Sequence, residues 1–268
     1  MKYNPIHLAS IILSCTIYSA HSEVIWREIS QGLEHGKALS SLYAPFDSAW
    51  IQLLRIDPFR YQIRLFNASH PQQGDALSAR GWAEKEGLTA VINAAMYQTD
   101  HRRSVSFMKS ADHINNPRVS GDKTVLAFDP LKKSLPQVKI IDMQCDNFSD
   151  LREHYGSMVQ SIRMLSCKGN NVWQQNQRRW SIAAVGTDSS GNLLFLHVTA
   201  PHSVHEFINI LRKLPINLKR AMYMEGGSQA QLFFRTDETS YEFIGNYSSG
   251  GRAFTVSSLP NVIGIIKK

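Results

Sequence analysis

Ala221-Met222-Tyr223-Met224-Glu225-Gly226-Gly227-Ser228-Gln229-Ala230 runs from an apolar stretch into an acid, two glycines and a hydroxyl. The apolar part has the character of a buried strand, which puts the carboxylate of Glu225 at the strand's end. Gly226 and Gly227 carry no Cβ, so a ligand or another backbone can come close there. The Ser228 hydroxyl and nearby N–H groups can bind an anionic or sugar oxygen. The same residues also fit a plain turn with a solvated glutamate. Residues 231–234 resume as a strand, so the segment is read as strand, turn, strand.

The pattern repeats outward. Short stretches rich in Val, Ile, Phe and Tyr, bounded by turn residues, predict strands at 50–57, 61–66, 89–94, 124–128, 138–143, 180–185, 193–198, 221–224, 231–234 and 262–266. The run Asp188-Ser189-Ser190-Gly191-Asn192 predicts a hairpin turn. Two helices are expected. Residues 76–86 end before Gly87, a fitting residue for a left-handed cap. Residues 203–214 place Val204, Phe207, Ile208, Leu211 and Leu214 on one stripe. There Ser203 and Glu206 have capping-box spacing, which makes Glu206 a structural residue. A third, short helix is expected at 148–155. These elements predict an α+β fold: a strand-rich single domain with a mixed sheet and a few packed helices.

Other polar side chains interrupt apolar runs. Asn93 sits in Val91-Ile92-Asn93-Ala94-Ala95-Met96-Tyr97 and needs partners if buried. Gln160 and Arg163 sit in Met158-Val159-Gln160-Ser161-Ile162-Arg163-Met164-Leu165. Arg179 enters a strand at Arg178-Arg179-Trp180-Ser181-Ile182-Ala183, and arginine suits bidentate phosphate recognition. No phosphate-binding loop, dinucleotide fingerprint, zinc-protease motif or nucleophile elbow occurs. Among ten histidines only His202 and His205 are close, so spacing supports no metal site and no cofactor is expected.

The chain has 268 residues, with 43% hydrophobic and 19% charged, which excludes a disordered or collagen-like protein. Its formal charge of +7 points to an anionic partner. Residues 1–22 have the form of a signal peptide: Lys2, an interrupted apolar run, and Ala20-His21-Ser22 as a cleavage site. A lipid anchor at Cys15 is the lesser alternative. Export leaves 23–268 as one domain, with no membrane anchor after cleavage, in the bacterial periplasm, with secretion as a further lesser alternative. Cys145 and Cys167 are then an even pair, which favours a disulfide over two unrelated thiols. No nucleic-acid module is present, and export argues against a nucleic-acid partner.

Taken in order, these segments resemble the phosphodiester glycosidase domain family. Asn93-Ala94-Ala95-Met96-Tyr97 is similar to its N-A-G-M-F/Y, Gln160-Ser161 to its Q-S-G-P, and Arg179-Trp180-Ser181-Ile182-Ala183 to its R-T-A-I-G. His205-Glu206-Phe207 falls at its acidic helix, and Tyr223-Met224-Glu225-Gly226-Gly227-Ser228 resembles its Y-L-D-G-G-S. Gly250-Gly251-Arg252 and the strand at 262–266 match its C-terminal end. The resemblance covers roughly residues 45–266. The chain departs from it at Ala95, Ile162-Arg163, Trp180, Ala183 and Glu225. Glu for Asp keeps the carboxylate but moves its oxygen by ~1 Å, a displacement that matters to rate.

The resemblance implies hydrolysis of a sugar-1-phosphodiester at the anomeric carbon, as in the family member that uncovers mannose 6-phosphate. Arg179 would take the phosphate, helped by Arg163 or Arg252. Glu225 would stabilise the cationic sugar or activate water. Asn93, Gln160 and Ser228 would position hydroxyls and phosphate oxygens, and Gly226 and Gly227 would give backbone access. The alternative is a non-catalytic envelope protein that binds phosphodiester-linked glycans.

Overall fold

Two sheets share one core, and a helix covers the outer face of each. A computed structural model describes residues 23–40, 50–246 and 256–268. The expected signal segment 1–22, Cys15, and Gly250-Gly251-Arg252 lie outside the described residues.

In chain order β1 (Val24–Ser30), β2 (Leu33–Leu39), β3 (Trp50–Ile56) and β4 (Tyr61–Asn67) precede helix α1 (Ala79–Glu86). Next come β5 (Ala90–Asn93), β6 (Met108–Lys109), β7 (Ile114–Asn116), β8 (Thr124–Pro130) and β9 (Val138–Asp142). The short helix α2 (Phe148–Leu151) leads through a 3-10 turn, Arg152–His154, into β10 (Tyr155–Arg163). Then follow β11 (Trp180–Asp188), β12 (Leu193–His202), helix α3 (Val204–Lys213), β13 (Leu218–Gly226), β14 (Gln231–Arg235), β15 (Ser240–Ile244) and β16 (Asn261–Lys267). The first sheet has the order β1-β2-β3-β12-β11-β13-β10-β6-β7, with β8 and β9 attached to β10. The second has the order β15-β14-β5-β16-β4.

Every strand expected from the apolar runs is present, with ends shifted by a few residues. The expected mixed sheet is not: the pairings among the described strands are antiparallel. The reason lies in the two helical crossovers. Helix α1 links β4 to β5, which run parallel, but β16 lies between them and pairs with both. Helix α3 links β12 to β13 in the same way, with β11 between. Each crossover therefore skips a strand, and the skipped place is filled by one running the other way.

Burial follows the patterning. On β4, Tyr61, Ile63 and Leu65 point inward while Gln62 and Arg64 are exposed, the alternation of a half-buried edge strand. Strands β11 and β12 are buried almost throughout, because α3 covers the face away from the second sheet. The core between the sheets includes Leu54, Ile92, Phe128, Val185, Phe195, Met224, Leu232 and Ile263. Helix α3 buries Val204, Phe207, Ile208 and Leu211 against Leu53, Ile182 and Leu194. The Ser203–Glu206 capping box is formed. Helix α1 starts at Ser78, whose hydroxyl accepts the Gly81 N–H, and ends at Gly87 with φ 67°. Its Trp82 packs on Val91, Phe233 and Val262 of the second sheet.

Candidate active site

Strand β13 leaves the core at Glu225. Its pairing with β11 carries a bulge: Tyr223 faces Ala184 and Glu225 faces Ala183, so Met224 is the extra residue. Met224 drops into the core between the sheets, while Tyr223 joins the cluster under α3. The Glu225 carboxylate accepts the N–H of Gly226 at 2.9 Å. Burial pushes its pKa up, and this hydrogen bond only partly offsets that. The expectation of a carboxylate at a strand end is thus met by a half-buried one, not by a solvated turn.

Gly226 is glycine for a reason the sequence did not show. A Cβ there would lie 2.1 Å from Cδ1 of Trp180 and 2.3 Å from its Nε1. The close approach that glycine permits is occupied by the protein's own indole. Trp180 donates its Nε1–H to the Tyr223 hydroxyl at 3.1 Å, and Tyr223 lies 5.4 Å from the Trp173 ring. Trp173 in turn donates to the Arg163 carbonyl. Met96, Ile162, Trp173 and Trp180 are half-buried and packed on this same cluster. This aromatic cluster lies on the α3 side of the sheet, whereas Glu225, paired with Ala183, is on the side facing the second sheet.

Gly227 has φ 65° and opens the 3-10 turn Gly227–Gln229, which carries Ser228. Ser228 Oγ accepts a hydrogen bond from Ser257 Oγ at 2.8 Å. Asn93, at the end of β5, is 2% exposed, and its Oδ1 accepts the Gln231 N–H at 3.3 Å. Its Nδ2 has no partner among the described residues, so a buried donor is left for a ligand or water. Gln231 was not singled out from the sequence, yet it joins these groups. Its Nε2 donates to the carbonyls of Ser228 and Ser257, and its Oε1 accepts the Ala79 N–H at the start of α1. The only signal was a glutamine heading an apolar strand.

Gln160 is fully buried on β10, close to the β13 end. All its amide capacity is spent on the loop at 106–122. Oε1 accepts from Phe107 N and Ser120 N, and Nε2 donates to the carbonyls of Ser120 and Asp122. Gln160 therefore holds a loop rather than presenting a free amide. That loop reaches the Asn93 segment through Val105 N–H to Met96 O.

The arginines are engaged elsewhere. Arg163 pairs with the buried Asp142 at 3.1 and 3.2 Å. Beside it Cys145 and Cys167 form a disulfide, as their even number favoured. The three groups Asp142, Cys145 and Cys167 lie close together, but the sulfurs bind each other and the carboxylate is matched by Arg163. Arg179 makes a bidentate pair with Glu206 at the start of α3. Burial pushes the Glu206 carboxyl up, but hydrogen bonds from Arg179 and the Ser203 N–H hold it below its ordinary value. Glu206 is the cap that its spacing predicted and also the anchor of Arg179.

Ala95 has φ 57°, a left-handed conformation that favours glycine, at the place where the resembled motif carries Gly. Its N–H points at the Met224 sulfur at 3.4 Å, tying the Asn93 segment to the β13 bulge. Asn93, Gln160, Glu225, Gly226, Gly227 and Ser228 thus belong to connected segments, while Arg179 is held at the start of α3 by Glu206 and Arg163 is turned toward Asp142.

A protein of Synechocystis, described only as hypothetical, superposes with a TM-score of 0.62 at 13% identity, over 91% of this chain and 64% of that one. This chain therefore spans less than two thirds of that protein's length. The catalytic domain of zebrafish N-acetylglucosamine-1-phosphodiester alpha-N-acetylglucosaminidase, auto-inhibited by its pro-peptide, superposes with a TM-score of 0.61 at 10% identity, over 91% and 82% of the two chains. At such identities the likeness is one of fold. No curated protein sequence matches the chain. The sequence pattern of the phosphodiester glycosidase family matches residues 86–266, from the end of α1 to β16, and the chain belongs to that family.

Proposed function

We propose that the protein is an exported hydrolase that cleaves a sugar-1-phosphodiester at the anomeric carbon, releasing free sugar and a phosphate monoester. The observation that carries this reading is Glu225: a half-buried carboxyl with a raised pKa, at a strand end, followed by Gly226 and Gly227. A phosphate monoester leaves readily, so the site needs charge stabilisation more than a strong acid. Water adds to the anomeric carbon, the bond from that carbon to the phosphate oxygen breaks, and the water proton passes to Glu225. The free Nδ2 of Asn93 and the Ser228 hydroxyl donate to substrate oxygens. Gln160 acts as a positioning residue through the loop it holds.

Arg179 reaches a phosphate only by exchanging Glu206 for it, and the exposure of that pair permits the exchange. The ion pair of Arg163 with Asp142 makes it a support of the site, and Arg252 remains the second phosphate ligand by its place in the motif. The even, bonded cysteine pair supports an oxidising compartment, which agrees with a periplasmic protein. The engagement of both Arg163 and Arg179 by carboxylates favours the second reading, a glycan-binding protein without turnover.

Sugar release from an N-acetylglucosamine-1-phosphodiester, followed by chromatography, separates the two. Hydrolysis by the wild type and a loss of about 10²–10⁴-fold in Glu225→Gln support the enzyme. Saturable binding with no product supports the binder. Full activity in both Glu225→Gln and Arg179→Ala removes the assigned roles.

A further inference from the structure

We infer that the protein carries a second ligand site, a cavity at the end of the second sheet away from Asn93, which takes a small organic anion with an apolar body. The cavity has a volume of about 620 Å³, within the range of small-molecule sites. Tyr61, Ile63 and Lys268 line it, so it lies where β4 begins and β16 has ended. Asn93 pairs with Val262 and Asn67 with Asn261 at the other end of the same sheet, about 20 Å off at ~3.3 Å per residue. The cavity shares no residue with the candidate active site, and the inference stands without the hydrolase reading.

Tyr61, Ile63 and Phe128 belong to the core between the sheets, which gives the cavity an apolar floor. Leu131 stands at its rim and is 67% exposed. Asp129 breaks the alternation of β8. Phe128 faces the second sheet and Ala127 faces away, so a regular strand would turn Asp129 away as well. Its left-handed backbone, φ 57°, turns it back. Its Oδ2 accepts the hydroxyl of Ser157, the residue paired with the inward Phe128. Its Oδ1 has no partner among the described residues. The charges of Arg64 and Lys268 both reach this carboxyl, although burial outweighs them and pushes its pKa up. Lys133 and Lys268 also line the cavity, and Lys268 donates its Nζ–H to the Pro58 carbonyl at 2.8 Å. Two ammonium groups against one carboxylate make the lining net positive, so it favours an anionic head. The free Oδ1 of Asp129 accepts a hydroxyl or N–H of the ligand, and the apolar body lies on Phe128 and Leu131.

The test uses 8-anilinonaphthalene-1-sulfonate, an apolar anion with an N–H, whose fluorescence rises on binding. The wild type should bind it saturably. Lys133→Glu with Lys268→Glu should weaken binding about tenfold or more. Both side chains are exposed, so the fold tolerates the exchange. In the unaltered protein the dye should protect Lys133 and Lys268 from acetylation by sulfosuccinimidyl acetate, read by peptide mass mapping. Displacement of the dye by hexanoate marks a carboxylate head, and displacement by phenyl phosphate a phosphate head. No binding by the wild type, equal affinity in the double variant, unprotected lysines, or displacement by neither competitor overturns the inference.

Discussion

Ala95 holds a left-handed backbone at φ 57° without being glycine, and the turn it makes brings Asn93 and Met96 to the end of β13. A Cβ in that region costs roughly 1–2 kcal/mol, part of which glycine returns as chain entropy in the unfolded state. Ala95→Gly should therefore raise stability by about 1 kcal/mol, seen as a higher urea midpoint at unchanged slope. Glu225 illustrates a different cost. Burial raises its folded pKa above the unfolded value, so at a pH between the two the native state holds a proton that the unfolded chain releases. Stability is then lost as pH rises through the unfolded pKa toward the folded one. Glu225→Gln should be more stable than the wild type at pH 7, and its advantage should shrink as pH falls toward about 4, in paired urea titrations.

At the scale of elements, local signals were legible. Helix α3 followed from its apolar stripe and from Ser203 and Glu206, and α1 from Gly87, because capping and helical faces depend on residues three or four apart. The strands at β3, β8, β11, β12 and β14 followed from their β-branched and aromatic runs. Strand β2, Leu33-Glu34-His35-Gly36-Lys37-Ala38-Leu39, escaped because its charges and glycine mask the pattern, and its place is fixed by pairing with β1 and β3. The disulfide ties the segment after β9 to the segment after β10, across 22 residues. Closing such a loop restricts the unfolded chain, so Cys145→Ser with Cys167→Ser should cost about 3 kcal/mol. Dithiothreitol should lower the melting temperature of the wild type and leave the double variant unmoved.

Over the whole molecule, the contact between the two sheets sets the response to acid. His197 of β12 is fully buried; its Nε2 meets the Ala230 carbonyl at 3.0 Å and its Nδ1 has no partner among the described residues. Burial lowers its pKa to about 4, outweighing the Ala230 hydrogen bond. The unfolded chain thus binds a proton that the native state refuses, so stability is full above pH 6.5 and falls as pH drops toward 4. The loss amounts to roughly 3 kcal/mol. His197→Phe should flatten the acid limb of a melting-temperature profile, since Ala230 O also accepts the Gly245 N–H and stays paired.

The sequence by itself determined most of the core strands, the two longer helices, the order of motifs and the presence of a carboxylate at the end of β13. These depend on periodicity and on neighbours in the chain, which one-dimensional reading captures. It also marked Asn93, Gln160, Arg163 and Arg179 as polar groups needing partners. Only the tertiary structure decided which partners they took. Arg163 found Asp142 21 residues away, Arg179 found Glu206 27 away, and Gln160 found Ser120 40 away. A buried polar group takes whatever complementary group the packing brings within about 3 Å, and separation along the chain carries no record of that distance. The same holds for Gly226: its sequence context announced room for a ligand, and the fold filled that room with Trp180.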